Sequence, residues 1–153
     1  MKVFLGLGSN QGNRKGFLSR AREKLAAIDG VKMIRASKER VTAPYGLIDQ
    51  PEFLNQIVEI ETKLYPTELL SQIHIIENQE GRIRKEKWGK RTLDIDILFW
   101  GNEIIEQEYL NIPHQDLHNR EFILASMMEL EPDLIHPKLG KTIKELYNIG
   151  VNE

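Results

Sequence analysis

The 153-residue chain has no cysteine, which excludes disulfides and thiolate metal sites. It has little net charge, formally -2, so no global field draws it to nucleic acid and any affinity for phosphate must be local. No apolar run approaches the ~20 residues of a membrane span. The opening Met1-Lys2-Val3-Phe4-Leu5-Gly6 leads straight into a strand-like segment instead of a signal peptide, so the cytoplasm is the expected location. Prolines number only 6 and cluster nowhere as a linker; repeats and low-complexity tracts are missing too. A hydrophobic content of 41% and a charged content of 29% remain, the composition of an ordinary globular protein with one domain expected over 1–153.

Periodicity supplies an order of elements. Lys2 to Leu7 reads as a strand, and Gly8-Ser9-Asn10-Gln11-Gly12-Asn13 as a polar turn at a cleft floor. That turn lacks the Gly-Lys-Ser/Thr ending of a P-loop. Phe17, Leu18, Ala21, Leu25 and Ile28 recur at helical spacing, and Asp29-Gly30 stops that helix. Val31 to Val41 reads as one long strand, Phe53 to Thr62 as its hairpin partner, with a proline-bracketed loop from Ala43 to Pro51 between them. Pro66 opens a second helix with Leu69, Leu70, Ile73 and Ile76 as its stripe and Gly81 as terminator. A short strand at Glu103 to Ile105, a helix over Asn119 to Leu130, and a last helix from Thr142 to Ile149 complete the chain. Strand, helix, strand, strand, helix, strand is the ferredoxin-like βαββαβ order. The expected fold class is therefore α+β, an antiparallel sheet covered by helices.

The chemistry concentrates in Leu93-Asp94-Ile95-Asp96-Ile97-Leu98-Phe99-Trp100. Side chains alternate along a strand, so Asp94 and Asp96 share one face with α-carbons roughly 6.5–7 Å apart. Alternation assigns Leu93, Ile95, Ile97 and Phe99 to the other face. Two carboxylates on an apolar strand require positive charge. Hard dications such as Mg2+ take such oxygen ligands, usually together with substrate phosphates. Immediately upstream lie Arg82, Arg84, Lys85, Lys87, Lys90 and Arg91. Acid pair and basic loop together point to metal-assisted chemistry on phosphate, or, taken alone, to a structural ion network of Asp94 and Asp96 with Arg82 and Arg91.

Four segments in collinear order narrow the choice. They are Gly8-Ser9-Asn10; Asp49-Gln50-Pro51-x-Phe53-x-Asn55; Arg82-x-Arg84 followed by Trp88-Gly89-x-Arg91-x-x-Asp94-x-Asp96; and Pro113-His114, Arg120-x-Phe122 and His136-Pro137. From about Val3 to Pro137 the chain resembles the 6-hydroxymethyl-7,8-dihydropterin pyrophosphokinases of folate biosynthesis. The resemblance implies a three-layer sandwich of ferredoxin-like type with helices on both faces. It implies two Mg2+ ions, ATP as donor, the hydroxymethyl pterin as acceptor and AMP as leaving group, in a monomer.

By the same resemblance, Asp94 and Asp96 hold the ions, and Arg82 and Arg91 clamp phosphate. Guanidinium makes two-pronged phosphate contacts that lysine cannot copy. Glu77, Arg84, His114 and Arg120 are implied beside the nucleotide. Phe53 and Phe122 correspond to the faces that stack on the pterin, and Asn55 offers a donor and an acceptor to its lactam edge. Thr42, Ala43 and Tyr45 complete the rim, and Trp88 caps it as the loop between Gly81 and Gly89 closes. The chain departs from the family pattern at Lys90, where proline is usual, at Gln115, where proline or tyrosine is expected, and at His74, where an amide is commoner. Two other classes fit the residues less well. A ferredoxin-like RNA-binding module is disfavoured by the charge and the lack of an aromatic-basic strand. A pterin aldolase has no use for paired acids.

Overall fold

The computed structural model describes residues 1–43, 51–81 and 92–151. Its elements in chain order are β1 (Lys2–Ser9), α1 (Arg14–Ala26), β2 (Val31–Ala36), β3 (Arg40–Thr42), β4 (Phe53–Thr62), α2 (Pro66–Gln79), β5 (Asp94–Trp100), β6 (Ile105–Gln107), β7 (Leu110–Ile112), α3 (Glu121–Leu130) and α4 (Ile143–Val151). A 3-10 turn at Leu117–Asn119 precedes α3. The principal sheet runs β2-β4-β1-β5, with β3 also paired to β4, and every pairing is antiparallel. The molecule is a mixed α/β protein, and no helix among the described residues is long and apolar enough to cross a membrane.

Alternation along β1 sorts the core. Val3, Leu5 and Leu7 point to a cluster with Leu18, Ala21 and Leu25 of α1 and Leu69, Ile73 and Ile76 of α2. Phe4 points the other way, into a cluster with Ile123, Leu124 and Met127 of α3 and Ile143 and Leu146 of α4. Helices therefore cover both faces of the sheet. Towards Ser9, the Phe4 face carries Gly6 and Gly8 instead of large side chains, and there the packed layer opens.

Helix boundaries follow the expected chemistry. The Asn13 side chain accepts the Gly16 N–H at 3.1 Å, capping α1. Gly81, with φ +81°, adopts the left-handed conformation just beyond α2 that lets the chain leave the helix. At α4, Thr142 Oγ1 accepts the Glu145 N–H at 3.1 Å while Glu145 Oε1 accepts the Thr142 N–H at 3.0 Å, a reciprocal cap.

Three expectations are corrected. The strand read as continuous over Val31–Val41 is two, β2 and β3, interrupted at Ser37-Lys38-Glu39. The cause is buried Ser37, whose Oγ accepts the Ile57 N–H at 3.0 Å and whose own N–H donates to the Ile57 carbonyl at 2.8 Å. The short strand at Glu103–Ile105 is instead the hairpin β6–β7. Phe99 does not follow Ile95 and Ile97. The β1–β5 register shifts between Phe4 and Leu5, which face Phe99 and Ile97. The extra residue, Leu98, is a bulge that turns Phe99 to the α3/α4 side, edge-on to Phe4 at 6.3 Å.

Candidate active site

The site follows from three neighbouring strands. In the β1–β5 ladder Asp94 lies opposite Gly8 and Asp96 opposite Gly6. In the β1–β4 ladder Gly8 faces Asn55 and Gly6 faces Ile57, and β3 continues the first row with Arg40 beside Asn55. One row across the sheet thus reads Arg40, Asn55, Gly8, Asp94. A neighbouring row reads Ile57, Gly6, Asp96. With only hydrogens on the two glycines, the face beside the acids stays open.

Above this face is a cavity of about 740 Å³, roofed by residues at the start of α3. Thr42, Ala43, Phe53, Asn55, Asp94, Asp96, Arg120 and Phe122 all line it. Eight residues expected from the sequence to serve a pterin, a metal and a phosphate therefore share one chamber. Asn55 is nearly buried at 9% exposure, and its Nδ2 donates to Thr42 Oγ1 at 2.6 Å. That bond orients the amide, and Oδ1 lies only 3.1 Å from where a Cβ on Gly8 would stand. Phe53 and Phe122 are half-buried, with ring surface left to contribute to the chamber.

Two expected nucleotide residues occupy a different place, along the outer edge of β5. The His114 N–H donates to the Leu98 carbonyl at 3.1 Å. Its Nδ1 accepts the Asp116 N–H at 3.3 Å, which leaves Nε2 as the protonated nitrogen of the neutral ring. Burial pushes the His114 pKa below its ordinary value, and the Arg120 guanidinium pushes it the same way against weaker opposing pulls from Asp116 and Asp94. Glu77 is 1% exposed and does not line the cavity; its Oε2 accepts the Ile95 N–H at 2.9 Å. Glu77 is thus a buried residue of α2, not a solvent-facing one. His74 and Gln115 are exposed. Tyr45, Arg82, Arg84, Trp88 and Arg91 lie outside the described residues, as do Lys85, Lys87 and Lys90.

The donor set can be weighed against a dication. Among the described residues no group of three or more His, Asp or Glu side chains is placed to hold a metal. The chain offers the carboxylates of Asp94 and Asp96 and open space beside them. That incomplete, all-oxygen set fits Mg2+, which keeps water and substrate phosphate in its shell and is seldom caged by protein alone.

Sequence reasoning placed Gly8 at the cleft floor but missed Gly6, Lys38 and Arg40 as parts of the chamber wall. The glycines carried a signal, since Gly6-x-Gly8 puts two bare positions on one face of a strand. Arg40 carried none. Its guanidinium donates to Ser126 Oγ at 2.9 Å and Glu129 Oε1 at 3.1 Å, tying β3 to α3 in a contact 86 residues apart in sequence.

Comparisons with known proteins show the family. Residues 4–132 match the family profile of 7,8-dihydro-6-hydroxymethylpterin-pyrophosphokinase. The 2-amino-4-hydroxy-6-hydroxymethyldihydropteridine pyrophosphokinase of Haemophilus influenzae is 41% identical over 144 residues, covering 94% of this chain and 89% of that one. The Aquifex aeolicus protein of the same description is 39% identical over 143 residues, covering 94% and 88%. A crystal structure of Plasmodium falciparum HPPK-DHPS with pteroate superposes with a TM-score of 0.79 at 18% identity, covering 99% of this chain and 42% of that longer one, and shares the fold. The chain belongs to the 7,8-dihydro-6-hydroxymethylpterin-pyrophosphokinase family.

Proposed function

We propose that this protein transfers pyrophosphate from ATP to 6-hydroxymethyl-7,8-dihydropterin, giving AMP and the pterin diphosphate, a step of folate biosynthesis. The observation that carries the reading is the shared chamber. Asp94 and Asp96 open onto the same cavity as Phe53, Asn55 and Phe122, so a phosphate end and a flat heterocycle end meet in one space. Family membership supplies the reaction class.

In this reading the pterin lies between Phe53 and Phe122, where offset stacking adds ~0.5–1.5 kcal/mol beyond area burial. Asn55, held by Thr42, reads the lactam edge, and Ala43 and Tyr45 complete the rim. The hydroxymethyl oxygen attacks the β-phosphorus of ATP. The bond from that phosphorus to the oxygen bridging it to the α-phosphorus breaks, AMP departs, and the hydroxyl proton is lost. Phosphoryl transfer asks the protein chiefly to position groups and neutralise charge.

Asp94 and Asp96 would hold two Mg2+ ions, which supply charge neutralisation and a lowered proton affinity at the attacking hydroxyl. Arg82 and Arg91 clamp the phosphates, and Arg84, Arg120 and neutral His114 contact the nucleotide. Trp88 covers the pterin. The strand order β2-β4-β1-β5 and the two helix-covered cores support a ferredoxin-like three-layer arrangement. A single-domain cytoplasmic monomer is part of the same proposal.

The test is chromatographic analysis of nucleotide products from the purified chain with ATP, Mg2+ and the hydroxymethyl pterin. AMP in step with pterin diphosphate is the expected result. ADP in its place, or turnover without Mg2+, would overturn the reading.

A further inference from the structure

Among the described residues β5 is an edge strand of the principal sheet, so every second residue turns its backbone N–H and C=O away from β1 with no described strand to receive them. Ile95 is such a residue. It lies between the two acids, and the hydrogen bond at 2.9 Å from its N–H to Glu77 Oε2 replaces the missing ladder partner. The carboxylate comes from α2, is 1% exposed, and remains buried although two other carboxylates lie on the residues flanking its partner. Burying a carboxylate is costly unless it is bonded, and apolar residues of similar size would fill the position without that cost. Glu77 is also not a third metal ligand by placement, since no such cluster exists among the described residues.

We propose that Glu77 is a positioning residue for the acidic pair. Its carboxylate clamps the backbone between Asp94 and Asp96, fixing the strand so that both side chains are held towards the cleft. Peptide planes on either side of a clamped N–H cannot rock independently, so the two neighbouring side chains keep their spacing. This proposal rests on the reading of Asp94 and Asp96 as the metal carboxylates.

The experiment compares the full chain with Glu77→Leu, which removes the acceptor, and Glu77→Gln, which retains an acceptor oxygen. Amide hydrogen exchange at Ile95 reads the clamp without metal or turnover. In the unsubstituted protein this edge amide should be protected like a ladder amide; free exchange there overturns the proposal even if Glu77→Leu fails to fold. Glu77→Leu should expose the Ile95 amide and raise the half-saturating Mg2+ concentration roughly 10–100-fold, the range found when groups orienting metal ligands are removed, with the pterin KM unchanged. Glu77→Gln should recover most of both effects. Equal damage from Glu77→Gln and Glu77→Leu overturns the proposal, because charge and not the accepted bond would then matter. Asp94→Asn separates the layers. A shift in Mg2+ half-saturation with Asp94→Asn but none with Glu77→Leu sinks the clamp alone, whereas no shift with Asp94→Asn sinks the metal reading and the clamp with it.

Discussion

Asn55 and Asp94 stand on opposite sides of Gly8, each directly across a β-ladder from it. A single glycine therefore separates the amide assigned to the pterin from a carboxylate assigned to metal. A Cβ on Gly8 would meet Asn55 Oδ1 at 3.1 Å and Phe53 Cδ1 at 3.8 Å. Asn55 yields with difficulty because Thr42 holds it from the other side at 2.6 Å. Crowding of this kind costs ~1–3 kcal/mol, so Gly8→Ala should raise the pterin KM about fivefold or more. Steady-state kinetics checks it, with circular dichroism to confirm an intact fold. An unchanged pterin KM would remove Asn55 from the binding edge.

Thr42 gives a gentler version of the same test. Thr42→Val keeps the shape but leaves the Asn55 Nδ2 without its hydroxyl partner. Losing a hydrogen bond of this type costs ~0.5–1.5 kcal/mol, which predicts about two- to twelvefold weaker pterin binding. Thr42→Ser, which restores the oxygen, should recover it. Calorimetric titration with the pterin in the presence of a non-hydrolysable ATP analogue reads both variants, and equal affinity for all three proteins contradicts the assignment.

Stability should fall on the acid side. His136 is 4% exposed, and its Nδ1 accepts the Lys138 and Leu139 N–H groups at 3.2 and 3.1 Å. Burial, followed by His118, holds its pKa below the ordinary 6.5, and burial does the same at His114. With the folded values depressed, the unfolded chain takes up protons first as pH drops. The stabilisation is complete above about pH 6.5 and is lost progressively as pH falls from there towards the folded values. Urea midpoints measured from about pH 7.5 to 5 should decline, and less steeply in His136→Gln than in the unsubstituted chain. Identical slopes would show that His136 does not carry the linkage.

Much of this is legible in the sequence. Asp94 and Asp96 share a face because strand alternation allows no alternative over two residues, and Phe53 and Asn55 follow the same rule. Alternation failed three residues later. The bulge at Leu98 is set by packing of Phe99 against Phe4 and α3, a long-range contact with no local sign. The break between β2 and β3 was hidden for a similar reason, since Ser37 interrupts the strand by bonding to Ile57, 20 residues away. The burial of Glu77 and its bond to Ile95 carried no local sign, because a glutamate late on a helix is usually solvated. Only the approach of α2 to the edge of β5 makes it a buried acceptor.

Asp94 and Asp96 are proposed to hold the dications that join nucleotide to acceptor. Binding of Mn2+ in place of Mg2+, followed by electron paramagnetic resonance with a non-hydrolysable ATP analogue, tests it most directly. In the unsubstituted chain the nucleotide should recruit ions to the protein. In Asp94→Asn and in Asp96→Asn, ion binding should weaken, and turnover should drop by about a hundredfold or more, because charge stabilisation of this kind contributes several kcal/mol. Ion binding and turnover equal to those of the unsubstituted chain in both variants would contradict the account.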